Sequence, residues 1–119
     1  LTEKTSNIID TVALAAMKLD AVLINTARGG LVDTGAVADA LQAGALGDVG
    51  LDVFPNEPLA ATEPLLEAVR RHEDWARDRV ALTPHVGGVS PQSLEELRRR
   101  AVETARDFLI DGTLVNRIA

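Results

Sequence analysis

The sequence predicts an α/β fold, a parallel sheet with helices packed on it, and three observations predict it. Three short apolar runs, Ala21–Asn25, Asp48–Phe54 and Val80–Thr83, each stop at a polar or glycine-bearing turn. Segments with helical spacing of their apolar residues separate them. The apolar content is aliphatic: 46% of the 119 residues are hydrophobic and only 3% aromatic. Such a composition suits strands covered on both faces.

In chain order, Leu1 to Asn7 reads as a loop. Asp10 or Thr11 caps a short helix through Met17, with Val12, Leu14 and Met17 as its apolar members. Leu19–Asp20 turns into the first strand, Ala21 to Asn25, whose Val, Leu and Ile predict a buried, fully covered position. Thr26–Ala27–Arg28–Gly29–Gly30 follows, its glycines allowing a sharp turn and close approach to something bound. Asp33 is the N-cap of a helix from Thr34 to Ala43 that buries Val37, Ala40 and Leu41, and Gly44 ends it. The second strand runs from Asp48 to Phe54, and Pro55 and Pro58 bracket a rigid loop carrying Glu57. Pro64 starts a helix with Leu65, Leu66 and Val69 on one face; the charged Arg70–Arg79 that continues it reads as a solvated excursion, with Trp75 packing it down. The third strand, Val80 to Thr83, ends at Pro84–His85. Ser90–Pro91 caps a long helix to about Ile110, striped by Leu94, Leu97, Ala101, Ala105 and Phe108 and stopped by Gly112.

Charge and composition exclude several classes. The net charge of −6 argues against a general nucleic-acid surface, and the Arg98–Arg99–Arg100 run is offset by Glu95, Glu96 and Glu103. No apolar run approaches the ~20 residues of a membrane span. The absence of cysteine removes thiolate chemistry and disulfides and fits a reducing cytoplasm. His72 and His85 have no metal-ligand spacing. Gly44, Gly47 and Gly50 precede a strand and do not make a dinucleotide fingerprint, and Gly88–Val89–Ser90–Pro91–Gln92 lacks the second glycine of a nucleophile elbow.

Parallel strands place their carboxyl ends on one edge, where open α/β sheets bind ligands. That edge gathers Arg28, Asp52, Glu57 and His85. Arginine offers a fork of donors to a carboxylate and stabilises charge developing on a neighbouring carbonyl oxygen. Histidine exchanges protons near neutrality, and a glutamate beside it favours the imidazolium. The set suits reduction of a 2-oxo acid with an external hydride donor. Taken singly, each residue has a plainer reading. Arg28 is then a surface arginine capping carbonyls, Asp52 a turn-forming acid, Glu57 a solvated loop carboxylate and His85 a structural histidine. The coincidence of three strand ends gives the catalytic reading its weight.

These segments resemble the D-isomer-specific 2-hydroxyacid dehydrogenases, which include D-3-phosphoglycerate, D-lactate, glyoxylate and hydroxypyruvate enzymes. The resemblance rests on Ile24–Asp33, on Leu51–Asp52–Val53–Phe54 with Glu57–Pro58, and on Leu82–Thr83–Pro84–His85–Val86–Gly87–Gly88, in the family's order and spacing. The opening Leu1–Thr5 and closing Gly112–Asn116 fit as well. It implies the carboxyl-terminal half of a three-layer Rossmann-type domain over residues 1–108, with residues 109–119 returning toward a substrate domain. It implies that Arg28 binds and polarises the 2-oxo acid, that His85 gives the proton, and that Glu57 keeps His85 protonated and oriented. Thr26, Ala27, Arg28, Asp52, His85, Val86, Gly87 and Gly88 would line an NAD or NADP site, Asp52 at the nicotinamide carboxamide. Formate dehydrogenases of this superfamily carry glutamine where Glu57 stands. The implied partners are a small 2-oxo or 2-hydroxy acid and, for the full-length enzyme, a second copy in a homodimer, with no nucleic acid and no membrane.

Two features depart from the family. Its glycine-rich phosphate loop and the selector of NAD or NADP lie upstream of Leu1, and Ala60–Arg79 is longer and more charged than the usual link. The expectation is that the isolated chain is a fragment with little turnover. The alternative is a non-catalytic, dinucleotide-sensing interaction protein or a truncated remnant.

Overall fold

The computed structural model describes residues 1–115, in two units that begin at Leu1 and Gly88. The first contains α1 (Thr11–Ala15), β1 (Val22–Asn25), a 3-10 turn (Gly29–Leu31), α2 (Thr34–Gln42), β2 (Asp48–Leu51), α3 (Pro64–Arg70) and β3 (Val80–Leu82). The strands form one parallel sheet in the order β1–β2–β3, with Asn25 opposite Leu51 and Leu51 opposite Leu82. An isolated parallel bridge, Ile9 to Val32, ties the amino-terminal segment to the chain leading into α2.

The caps follow the sequence chemistry. Asp10 accepts the amides of Val12 and Ala13, and Asp33 that of Ala36. Gly44, one residue beyond the α2 cap, has φ +69°, a conformation that suits glycine. The N-cap of α3 is Glu63, which accepts the Leu66 amide.

Leu14, Val37, Leu41, Leu46, Val49, Leu51 and Leu65 form the core against the inward face of the sheet, with Leu23, Val80 and Leu82 beside them. Each large aliphatic side chain so buried contributes about 1.5–3 kcal/mol. Trp75 also packs against this core, and His72 is exposed.

Several expectations are corrected. β1 is not covered on both faces: Leu23 and Asn25 turn inward, while Val22 and Ile24 point to solvent, Ile24 at 70% exposure. Helices α1 to α3 pack on one face only, so alternation decides the burial of this strand. α1 ends at Ala15, and Val12 is exposed. β2 ends at Leu51: the Asp52 amide makes one more bond to Asn25 at the end of β1, and the Phe54 amide turns to Glu57. The buried side of α3 is Leu65 and Ala68, with Val69 at its margin, 38% exposed. Arg70–Arg79 is not simply a solvated excursion. Ala76 is buried, and Arg79 donates from Nε to the Gly47 carbonyl (2.7 Å) and from its terminal nitrogens to the carbonyls of Leu41, Leu46 and Trp75. That guanidinium gives the Leu46 and Gly47 carbonyls at the entry to β2 a donor and adds one to the Leu41 carbonyl, which also accepts the Gly44 amide.

The second unit carries α4 (Pro91–Asp111). Ser90 and Ser93 form a reciprocal capping box, and Gly112 at φ +72° ends the helix. Arg99 bridges Glu96 and Glu103 on one flank. Leu109, where the tail was expected to begin, lies within α4, and residues 116–119 of that expected tail lie outside the described residues.

Candidate active site

The carboxyl ends of β1, β2 and β3 carry the candidate residues. Asn25 is buried, its Nδ2 donating to the Arg28 carbonyl (2.9 Å) and its Oδ1 accepting from the Ala27 amide (3.1 Å). This closes the turn that presents Arg28. The guanidinium is exposed, and its Nη1 donates to the Ala27 carbonyl (2.7 Å). Among the described residues Arg28 forms no ion pair, so its remaining donors face outward. Thr26 and Ala27 are exposed beside it.

Gly29 was expected to let the chain approach something bound. The close approach is instead to the protein's own loop: a β-carbon there would lie 1.8 Å from the Phe54 carbonyl carbon. The Arg28 turn therefore rests directly on the segment that leads to Glu57.

Asp52, only 5% exposed, follows β2. Its Oδ1 accepts from the Thr83 hydroxyl (2.5 Å) and the Val86 amide (2.9 Å), and its Oδ2 from the Gly87 amide (2.8 Å). Its own carbonyl accepts the His85 amide (2.8 Å). Donation from Thr83 first, then from Gly87 and Val86, holds this carboxyl below its ordinary value. His85 itself has φ +55°, in the left-handed region.

The His85 Nδ1 lies 2.8 Å from Glu57 Oε2. Glu57 Oε1 accepts the Phe54 amide (3.0 Å), which fixes the carboxylate, and the peptide from Glu57 to Pro58 is cis. The bond to His85 first, then that from Phe54, lowers the Glu57 pKa. An ionised carboxylate only accepts, so Nδ1 carries the proton in this pair and Nε2 is left for another partner.

Arg28, Glu57 and His85 border one cleft of about 250 Å³, with Gly29, Pro55 and Phe54 in its wall. A larger cavity of about 410 Å³ also reaches Glu57 and His85 and is lined by apolar Phe54, Pro58, Leu59, Leu66, Leu82 and Pro84. A donor fork and an imidazole with a fixed tautomer on one cleft can hold a carboxylate and move a proton to a nearby oxygen. The Asp52 carboxylate has capacity for about four donors and receives three, which leaves room for one amide N–H from a ligand. That spare acceptor beside the exposed Thr26–Ala27 turn fits a nicotinamide carboxamide. Gly88 opens the second unit, and a β-carbon there meets nothing within 4 Å. No cluster of metal-ligating side chains occurs among the described residues, and no helix among them is long and apolar enough to cross a membrane.

Sequence reasoning missed Asn25, Thr83 and Arg79. Asn25 and Thr83 left a signal, each as a polar residue ending an apolar run before a turn.

Comparison with known proteins adds a family, two curated relatives and two solved structures. The family described as "D-isomer specific 2-hydroxyacid dehydrogenase, NAD binding domain" matches residues 1–87. The chain is 42% identical over 109 residues to the (S)-sulfolactate dehydrogenase of Chromohalobacter salexigens, covering 92% of this chain and 32% of that protein. It is 38% identical over 120 residues to the glyoxylate reductase of Pyrococcus horikoshii, covering 98% and 33%. Among solved structures, a glyoxylate reductase from Paecilomyes thermophila superposes with a TM-score of 0.79 at 33% identity, over 97% of this chain and 32% of that one. A D-isomer specific 2-hydroxyacid dehydrogenase from Xanthobacter autotrophicus Py2, solved with NADPH and MES, gives 0.78 at 32% identity, over 100% and 45%. The chain spans a third or less of the length of these curated relatives.

Proposed function

The chain belongs to the D-isomer-specific 2-hydroxyacid dehydrogenase family through its NAD-binding domain, and on that premise we propose that it supplies the nicotinamide-side half of a 2-oxo acid reductase site. The observation that carries this reading is the His85–Glu57 pair at 2.8 Å on a cleft that Arg28 also borders.

In this reading the Arg28 guanidinium holds the substrate carboxylate and draws charge onto the adjacent carbonyl oxygen. When bound, a reduced NAD or NADP supplies the hydride that no side chain carries. His85 gives the Nε2 proton to the carbonyl oxygen as the carbon is reduced, so a 2-oxo acid becomes a D-2-hydroxy acid and the imidazole is left neutral. Glu57, fixed by the Phe54 amide, keeps Nδ1 protonated and the ring oriented. Asp52 would hold the carboxamide, and Thr26, Ala27, Val86 and Gly87 would line the nicotinamide half of the site. A cytoplasmic setting, supported by the lack of cysteine, and a homodimer of the whole enzyme, supported by the family resemblance, belong to the same reading.

The test is a reductase assay with glyoxylate, hydroxypyruvate and pyruvate on the complete polypeptide that carries this sequence. His85→Ala lowers kcat by about 10²–10⁴-fold. A wild-type protein that binds dinucleotide but reduces none of a broad set of 2-oxo acids would instead be the dinucleotide-sensing interaction protein.

A further inference from the structure

The side chains assigned to substrate and proton stand on two short turns, and each turn is closed by a buried polar residue at the end of a strand. Asn25 spends its donor on the Arg28 carbonyl and its acceptor on the Ala27 amide, so both halves of the amide work within three residues of Arg28. Asp52 takes the amides of Val86 and Gly87 and the hydroxyl of Thr83 on its carboxylate, and the His85 amide on its carbonyl. His85 is thus gripped from both sides in the left-handed conformation, which a side chain with a β-carbon adopts only when its surroundings enforce it. Gly87 belongs to the same grip: a β-carbon there would lie 2.9 Å from Asp52 Oδ2. The two anchors are themselves joined, since the Asp52 amide donates to the Asn25 carbonyl (3.0 Å).

We propose that Asn25 and Asp52 are positioning residues with separate duties: Asn25 sets the turn that aims Arg28, and Asp52 sets the loop that aims His85. The assignment rests on the reductase reading above. It makes Asp52 first an anchor of the proton donor, with its spare acceptor site available to the cofactor. Because the two turns serve different steps, damage to them separates in the kinetics. Loss of the Asn25 amide loosens the substrate's carboxylate partner and weakens binding. Loss of the Asp52 charge lets the His85 loop relax and slows proton delivery.

The experiment is steady-state kinetics at saturating cofactor on the complete polypeptide, with amide hydrogen exchange alongside. Asn25→Ala raises KM for the 2-oxo acid by about tenfold or more while kcat falls less. Asp52→Asn lowers kcat by about 10- to 100-fold while KM for the 2-oxo acid stays within about threefold. Should the Asp52 variant fold poorly, Thr83→Val removes one donor of the three, lowers kcat severalfold, and Thr83→Ser restores most of that loss. Exchange at Val86 and Gly87 speeds up in the Asp52 variant, and exchange at Ala27 speeds up in the Asn25 variant. Equal effects of both variants on kcat and KM, or an Asp52→Asn effect confined to cofactor affinity, overturn the proposal. A wild-type protein without reductase activity removes the functional reading alone; the exchange pattern then decides the anchoring, and unchanged protection at these amides overturns it.

Discussion

Replacing Gly29 by alanine tests whether the Arg28 turn and the Glu57 loop are one rigid piece. The added β-carbon would stand 1.8 Å from the Phe54 carbonyl carbon, 2.0 Å from its oxygen and 2.4 Å from the Pro55 nitrogen. That is roughly 1.5–2 Å short of ordinary carbon contact, and no rotamer relieves it, because both partners are backbone. Neither side yields easily. The Gly30 carbonyl accepts the Asn7 amide at 2.8 Å, the Leu31 carbonyl accepts that of Ile9 at 3.0 Å, and Phe54 is buried. Overpacking costs about 1–3 kcal/mol where side chains adjust, and a forced backbone displacement belongs at or above the upper end. A loss of about 3 kcal/mol lowers Tm by on the order of 12 °C or more in a unit of this size. Arg28 moves with the turn, and a misplacement near 1 Å costs about a hundredfold in kcat/KM. The neighbouring Gly30→Ala is the control. Its β-carbon meets only the Leu1 Cδ2 at 2.7 Å, the end of a flexible, exposed side chain, so it costs less than about 1 kcal/mol. Thermal melts and substrate kinetics of both variants settle the matter. If Gly29→Ala melts within about 2 °C of wild type, or if the two glycines respond alike, the reasoning fails.

Three further outcomes follow from the same structure. Arg79→Ala takes the guanidinium donor from the carbonyls of Leu46 and Gly47 and lowers stability by about 1.5–3 kcal/mol in a urea titration, whereas Arg77→Ala, on an exposed pair with Asp74, changes it by less than about 0.5 kcal/mol. Asp52 and Glu57 are held below their ordinary values of 3.8 and 4.5, so their ionised forms add stability that is fully present above that range and is lost as pH falls through the lower folded values. Tm accordingly holds from pH 7 to about pH 5 and then drops, and the double variant Asp52→Asn, Glu57→Gln shows a shallower drop when melts are repeated across the series. Ile24→Thr, on the exposed face of β1, changes stability by less than about 1 kcal/mol, but Leu51→Ala on the buried face of β2 costs about 2–5 kcal/mol.

What the sequence made legible is what is encoded locally. Asp10, Asp33 and Ser90 cap their helices because the bonding partners lie two or three residues on. Pro64 and Pro91 open helices for the same reason. The parallel pairing of the strands and the gathering of Asp52, Glu57 and His85 at one edge followed from the alternation of strand and helix. The two misreadings with most effect on packing concern what lies far along the chain. Arg79 looked like one more charge in a charged run, yet it bonds carbonyls 32 to 38 residues earlier. A run of Val, Leu and Ile does not say how many faces of a strand are covered, and β1 is covered on one.

The same distinction explains why the strands stop where they do. β2 reads as a strand through Phe54, but beyond Leu51 the Asp52 amide still meets the end of β1 while the Asp52 carboxylate takes three donors from the loop after β3. The Phe54 amide turns to Glu57. Each polar group that ends a strand is therefore committed to holding a neighbouring turn, and these commitments fix the left-handed His85 and the tautomer of its ring. Continuing β2 through Phe54 would add three residues to it and take the Phe54 amide away from Glu57. The early end of the strand is thus what builds the site, and a substitution that restores strand character at residue 52, such as Asp52→Val, trades the anchored His85 loop for a longer sheet.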